Sequence, residues 1–183
     1  IFSRYTNKVE SFGIDECWLD VTGLDGRTVA DQIRQSIKSE LGITASVGVA
    51  WNKIFAKLAS DIKKPDATTI ITKENMHSTV FRLPVEKLLL VGKATKLKLN
   101  ALNIFTIGQL AKTNPKLLRL KLGKWGDYLY DFANGFDQSP VCLIEEDSII
   151  KSVGNSSTTI RDLKSREDVL MVITVLAESV ASR

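Results

Sequence analysis

Histidine, cysteine and long apolar runs are scarce in this 183-residue sequence. The one histidine, His77, sits in Asn75-Met76-His77-Ser78 with no partner signature. A zinc site built on His/Cys clusters is therefore excluded, a Ser-His-Asp triad has no support, and His77 reads as a plain surface residue. Cys17 and Cys142 lie far apart and form no C-x-x-C pair, which suits a reducing cytoplasm better than a disulfide scaffold. No run approaches the roughly 18 apolar residues of a membrane-spanning helix. Arg4, Lys8 and Glu10 interrupt the first dozen residues, so no secretory signal is read there. The sequence begins with Ile1 rather than Met and reads as a fragment or trimmed chain.

Carboxylates are absent from a long stretch. Between Glu86 and Asp127 there is none, whereas nine basic residues run from Lys87 to Lys124. The net charge of +4 hides this unevenness: residues 1–80 balance ten basic against ten acidic residues, residues 81–144 carry a net +6, and residues 145–183 a net −2. Lysines on a merely solvated helix face are usually interleaved with glutamate. Their isolation here favours a surface for a polyanion, in particular nucleic acid.

What is present reads as three pieces. Alternation over 11–22 predicts a strand, and Val29, Ile33, Ile37 and Leu41, closed by Gly42, predict a helix. Residues 43–50 predict a strand and residues 53–62 a helix capped by Asn52, with Ile54, Phe55, Leu58 and Ile62 buried. Thr68 to Thr72 predicts another strand, giving a sheet with helices on one face. Residues 74–135, punctuated by Pro84, Gly92, Gly108, Pro115, Gly123 and Gly135, predict short helices and no strand. A linker containing Glu145-Glu146-Asp147, a strand over 149–159 and a helix over 166–182 complete the chain. A lone strand and helix cannot bury an apolar face, so this last piece reads as the start of a truncated domain.

Three features could carry chemistry. Asp15 and Glu16 interrupt an apolar strand, where charge is costly unless paired or bound to a cation. They are candidate hard-metal ligands, the alternative being an exposed strand end or turn. Neighbouring strand residues point to opposite faces, so both reach one ion only at a bend. Lys53 and Lys57, four apart, share a helix face, and Lys64 follows the helix end, where it could meet phosphate. Residues 84–112 read as helix, tight turn and helix, with Gly92 opening the second helix beside Lys93 and Lys96. Helix-start amides bind phosphate without reading sequence. This is no P-loop, since the earlier Gly is absent and Ala94 replaces the hydroxyl.

Together these residues resemble a known pattern. Gly-Ile-Asp-Glu-Cys-Trp-Leu-Asp-Val-Thr (13–22) is similar to the S-I-D-E-x-x-L-D-x-T signature of Y-family (DinB/UmuC-type) translesion DNA polymerases. Residues 44–65 resemble their T-x-S-x-G-I-x-x-N-K-x-x-A-K-x-A-S-x-x-x-K-P block, residues 84–111 their thumb helix–hairpin–helix, and Lys151-Ser-Val-Gly154 the K-S-I-G that opens their little finger. The resemblance implies an α+β fold: a palm remnant of sheet with helices on one face (1–80), an all-helical thumb (81–136), a linker (137–148) and the start of an α/β little finger (149–183).

The resemblance also implies a function, low-fidelity translesion synthesis in the SOS response to DNA damage by two-metal nucleotidyl transfer. Asp15 and Glu16 would be catalytic and hold two Mg²⁺ ions. Lys64 would contact the incoming deoxynucleoside triphosphate. Gly92, Lys93 and Lys96, with Lys151 and Ser152, would contact primer–template DNA. The further partner is the replication sliding clamp, through a segment beyond this chain, and the setting is cytoplasmic with no membrane. Gly13 stands where Ser is usual, and Leu90 where the hairpin's first Gly is usual. The first metal-binding Asp belongs to an amino-terminal strand outside this chain, so the fragment is expected to be inactive. The rival reading is a non-catalytic helix–hairpin–helix DNA-binding module.

Overall fold

The two-residue alternation over 11–22 has a turn inside it. The structure, a computed structural model, describes residues 1–144 and 151–183. In it β1 (Val9–Ser11) and β2 (Cys17–Leu19) form an antiparallel hairpin, with Glu10 opposite Trp18. The Phe12 and Gly13 amides both donate to the Glu16 carbonyl, at 2.9 and 3.3 Å, and close the turn. Phe12 stacks on Trp18 across it, with ring centroids 4.6 Å apart. Ile14, on the expected apolar parity, is fully exposed at the tip. A single strand is thus corrected to a hairpin, and Asp15 and Glu16 lie at its bend.

Helix α1 (Gly26–Leu41) starts where the Asp25 carboxylate accepts the Thr28 amide, and it stops at Gly42 with φ of 69°. Its Val29, Ile33 and Ile37 pack on Leu19, Val21 and Ala45. Strand β3 (Val47–Val49), helix α2 (Lys53–Ile62) and strand β4 (Thr68–Ile70) form one parallel crossover, with Val47 opposite Thr68. The expected single sheet is corrected to two two-stranded sheets among the described residues, β1–β2 and β3–β4. β2 and β3 therefore each have an edge without a partner strand. Both line an open cleft of about 1090 Å³, together with Val29 and Ile33. Residue patterns mark strands but do not say which strands pair.

Between residues 76 and 133 the chain forms short helices, as expected: α3 (Met76–Thr79), α4 (Lys93–Asn100), α5 (Ile107–Lys112), α6 (Pro115–Leu122) and α7 (Lys124–Ala133). Their core contains Leu99, Ile107, Leu110, Leu118 and Leu129, and it is continuous with Ile54, Phe55 and Leu58 of α2. Residues 1–144 accordingly pack as one unit across the boundary placed at residue 80. The first helix of the expected helix–turn–helix shrinks to a 3-10 turn at Val85–Lys87. Tertiary pairing explains this, because the Val85 amide donates to the Phe105 carbonyl and Pro84 bridges Thr106. Those bonds hold the chain extended where a longer helix would need it coiled.

The second unit is described over residues 151–183. Its α8 (Arg166–Ala181) is capped by Ser165, and the Arg161 guanidinium clasps Asp168 with two 2.9 Å bonds. Asn155 donates to Ser179 at 2.9 Å. The expected strand over 149–159 is not formed in residues 151–159, where no strand among the described residues offers hydrogen bonds. Residues 145–150, which hold the acidic triplet and the start of that strand, lie outside the described residues.

One glycine sets how α2 meets β3. A Cβ on Gly48 would sit 1.9 Å from the Ala56 carbonyl oxygen and 2.5 Å from the Ser60 amide nitrogen. Helix backbone therefore lies directly on strand backbone, and no rotamer change can relieve the clash. Gly48→Ala is expected to destabilise the chain by about 3 kcal/mol, read as a lowered urea midpoint with an unchanged slope.

Candidate active site

Helix α2 has two working sides. Ile54, Phe55, Leu58 and Ala59 are buried in the large core. Lys53 and Lys57, one turn apart, reach the β1–β2 hairpin instead. Lys53 Nζ lies 2.5 Å from Glu10 Oε2 and 5.4 Å from the centre of the Trp18 ring, and its carbonyl accepts the Trp18 indole N–H at 3.0 Å. Its side chain is only 11% exposed, so it is no solvated lysine. Lys57 Nζ lies 2.8 Å from Glu16 Oε1 and 2.7 Å from Asp61 Oδ2. Asp61 Oδ1 in turn takes Lys64 Nζ at 2.6 Å. The result is an alternating chain, Glu16–Lys57–Asp61–Lys64, running from the hairpin bend to the end of α2.

These contacts set the charges. Burial pushes the Lys57 ammonium down, but its hydrogen bonds to Asp61 and Glu16 outweigh that and hold it above its ordinary value. Burial likewise pushes Asp61 up, and the bonds from Lys57 and Lys64 leave it below the usual carboxylate range. Beyond Lys64 the loop is fixed as well. The Asp66 carboxylate takes Arg34 at 2.7 Å and Lys38 at 2.9 Å, while its carbonyl accepts a further bond from Arg34.

Asp15 is exposed beside Glu16, and the second Glu16 oxygen has no partner among the described residues. The donors are all anionic oxygens. That chemistry suits a hard cation such as Mg²⁺, which is typically held by one or two carboxylates with water and phosphate completing its shell. No group of three or more His, Cys, Asp or Glu residues poised for a metal occurs among the described residues. Asp15 and Glu16 could supply at most two carboxylates to such a shell.

The acid-free segment is partly neutralised from its ends. Glu86 pairs with Lys96 at 2.7 Å and Asp127 with Arg119 at 2.8 Å. The other seven bases from Lys87 to Lys124 are exposed with no acid partner among the described residues. Lys93 is one of them, next to Gly92, and no side chain caps the start of α4. Leu90 takes φ of 70°, a backbone that glycine adopts freely and leucine at a cost of about 1 kcal/mol. The position keeps the turn of a glycine hairpin without the glycine. Lys151 and Ser152 are exposed in the second unit.

Comparison with known proteins bears on the chain's ancestry. Residues 1–61 match the impB/mucB/samB family. DNA polymerase IV of Acetivibrio thermocellus is 53% identical over the whole chain, which spans 47% of that protein, and DNA polymerase IV of Clostridium acetobutylicum is 36% identical with the same coverage. The chain is homologous to the Y-family DNA polymerases. It spans about half the length of the curated relatives it matches. A Y-family polymerase chimera of known structure superposes with a TM-score of 0.81 at 27% identity, covering 99% of this chain and 54% of that one. An insertion ternary complex of Dbh DNA polymerase gives 0.69 at 29% identity, over 76% of this chain and 43% of that one.

The structure joins Glu16 to Lys64 through two side chains that sequence reasoning left unused, Lys57 as a bridge and Asp61 altogether. Their spacing held the signal, since Lys53, Lys57 and Asp61 recur every four residues along one helical face. Glu10 was also missed. Burial pushes its carboxyl up, but the Lys53 ammonium and the Cys142 amide, 3.0 Å away, hold it below its ordinary 4.5. A carboxyl depressed on folding stabilises above its ordinary pKa, and that contribution fades as pH falls through the folded value. Stability is therefore expected to fall on acidification below about pH 4.5. Glu10→Gln should cost about 2 kcal/mol at pH 7 and flatten this acid limb in urea unfolding measured from pH 7 to 3.

Proposed function

We propose that a full-length protein carrying this chain is a low-fidelity translesion DNA polymerase, performing template-directed nucleotidyl transfer at Asp15 and Glu16. The observation that carries the reading is the link from Glu16 of this acid pair to Lys64, through Lys57 and Asp61, in a chain related over its whole length to DNA polymerase IV proteins. Asp15 and Glu16 would hold magnesium at the hairpin bend. When bound, two such ions supply activation of the primer 3′-hydroxyl and neutralisation of triphosphate charge. Lys64 sets a cation against the triphosphate of the incoming nucleotide. The amides and lysine at Gly92–Lys93 hold the DNA backbone, with Lys96 behind them paired to Glu86, and Lys151 and Ser152 reach the template strand.

In this reading residues 1–80 are palm, 81–136 thumb and 149–183 the start of a little finger. A third carboxylate comes from a strand entering the cleft beside β2 and β3, and the chain alone is inactive. The sliding clamp, a cytoplasmic setting and a role in the DNA-damage response belong to the same proposal. A non-catalytic DNA-binding module would leave the acid pair and its supporting lysine without a task.

Asp15→Ala or Glu16→Ala in the full-length protein should lower primer extension by at least about 10³-fold while leaving DNA affinity nearly unchanged. Undiminished extension by either would overturn the assignment. Lys93→Glu should weaken duplex binding to a similar degree on unrelated sequences and shift the slope of log K against log salt by about one, as for a phosphate contact. Loss on one sequence alone would contradict it.

A further inference from the structure

Lys57 occupies a place that none of the assigned roles explains. It is 17% exposed and carries a positive charge against two carboxylates. A half-buried ammonium held this way is costly to place, so the contacts it makes are what it is there for. It takes one oxygen of Glu16 at 2.8 Å and leaves the other open. It takes one oxygen of Asp61 at 2.7 Å, and the other oxygen of Asp61 binds Lys64 at 2.6 Å. Each carboxylate therefore shares its two oxygens between a neighbour and a task. Glu16 is turned by Lys57, and Lys64 is turned by an Asp61 that Lys57 itself anchors.

We propose that Lys57 and Asp61 are positioning residues that tie the metal-holding carboxylate Glu16 to the nucleotide-facing Lys64. The inference rests on the polymerase reading of Asp15, Glu16 and Lys64 and adds two residues to it. Lys57 fixes the rotamer of Glu16, so that its open oxygen is presented to a cation without a search through rotamers. Asp61 holds Lys64 by its inner side, so the ammonium has a fixed origin from which it swings to a triphosphate. Because one ammonium serves both ends, loosening it disturbs both. Residues hydrogen-bonded to a metal ligand commonly shift metal affinity or activity by about 10- to 100-fold when removed.

The test uses the full-length protein with Lys57→Met, Lys57→Arg and Asp61→Asn. Mn²⁺ affinity is read by electron paramagnetic resonance, and affinity for a non-hydrolysable deoxynucleoside triphosphate analogue by fluorescence, both without turnover. Lys57→Met should weaken Mn²⁺ and analogue binding each by about 10-fold, and Lys57→Arg should recover most of the Mn²⁺ loss. Asp61→Asn should weaken the analogue about 5-fold and raise KM for the nucleotide more than it lowers kcat, with Mn²⁺ affinity within about 2-fold. Unchanged Mn²⁺ and analogue affinities in a folded Lys57→Met protein would overturn the proposal. If Lys57→Met does not fold, Asp61→Asn decides the matter, and an unchanged analogue affinity and KM in it would overturn the proposal. Activity surviving in Asp15→Ala would defeat the polymerase reading itself. An inactive Asp15→Ala beside a Lys57→Met protein with wild-type binding would defeat only this inference.

Discussion

Two lysines one helical turn apart hold a hairpin of three carboxylates against a helix, and the functional half of the molecule depends on that clasp. A free two-stranded hairpin is marginal in water. Here Lys53 grips Glu10 on β1 and packs over Trp18 on β2, and Lys57 grips Glu16 at the bend. Asp15 rides on the same bend. The hairpin is thus not held by apolar burial alone, since none of its strand residues is fully buried. Its position is set by charge pairs whose lysine members are themselves largely shielded from water, which makes those pairs worth more than surface salt bridges.

The clasp works because α2 is immobile. Its opposite face carries Phe55, Leu58 and Ala59 into a core shared with α4 to α7. Its start is tied further by Trp51 and Asn52, which both donate to the Gly135 carbonyl at 3.1 and 2.7 Å. Its middle rests on Gly48 with no room for a side chain. Rigid packing on one face thereby becomes precise placement of charge on the other. The same geometry that buries the apolar half of α2 aims Lys53 and Lys57 at the carboxylates.

Much of this was legible in the residues. The α2 stripe, the Asn52 cap, the Gly42 stop and the change to short helices after residue 74 follow from local rules that the structure keeps. The hairpin was not legible, because Phe12, Ile14 and Trp18 share one parity on both sides of a turn closed by backbone bonds to the Glu16 carbonyl. The 3-10 turn at Val85–Lys87 was hidden for a related reason, since its partner, Phe105, is distant in sequence. For the site, Asp15, Glu16, Lys57 and Lys64 stood out as charges, but which of them touch is a tertiary fact. The acid-free run marked a basic surface correctly, while the neutralisation of Lys96 by Glu86 and of Arg119 by Asp127 needed coordinates.

Hydrogen exchange tests the clasp most directly. In the chain carrying Lys53→Met together with Lys57→Met, amides of residues 9–19 should exchange at least about 10-fold faster than in the parent. Amides of Phe55 to Ala59 in the core of α2 should keep their protection. Unchanged protection of the hairpin in that variant would show that the two lysines do not hold it, and the account would fail.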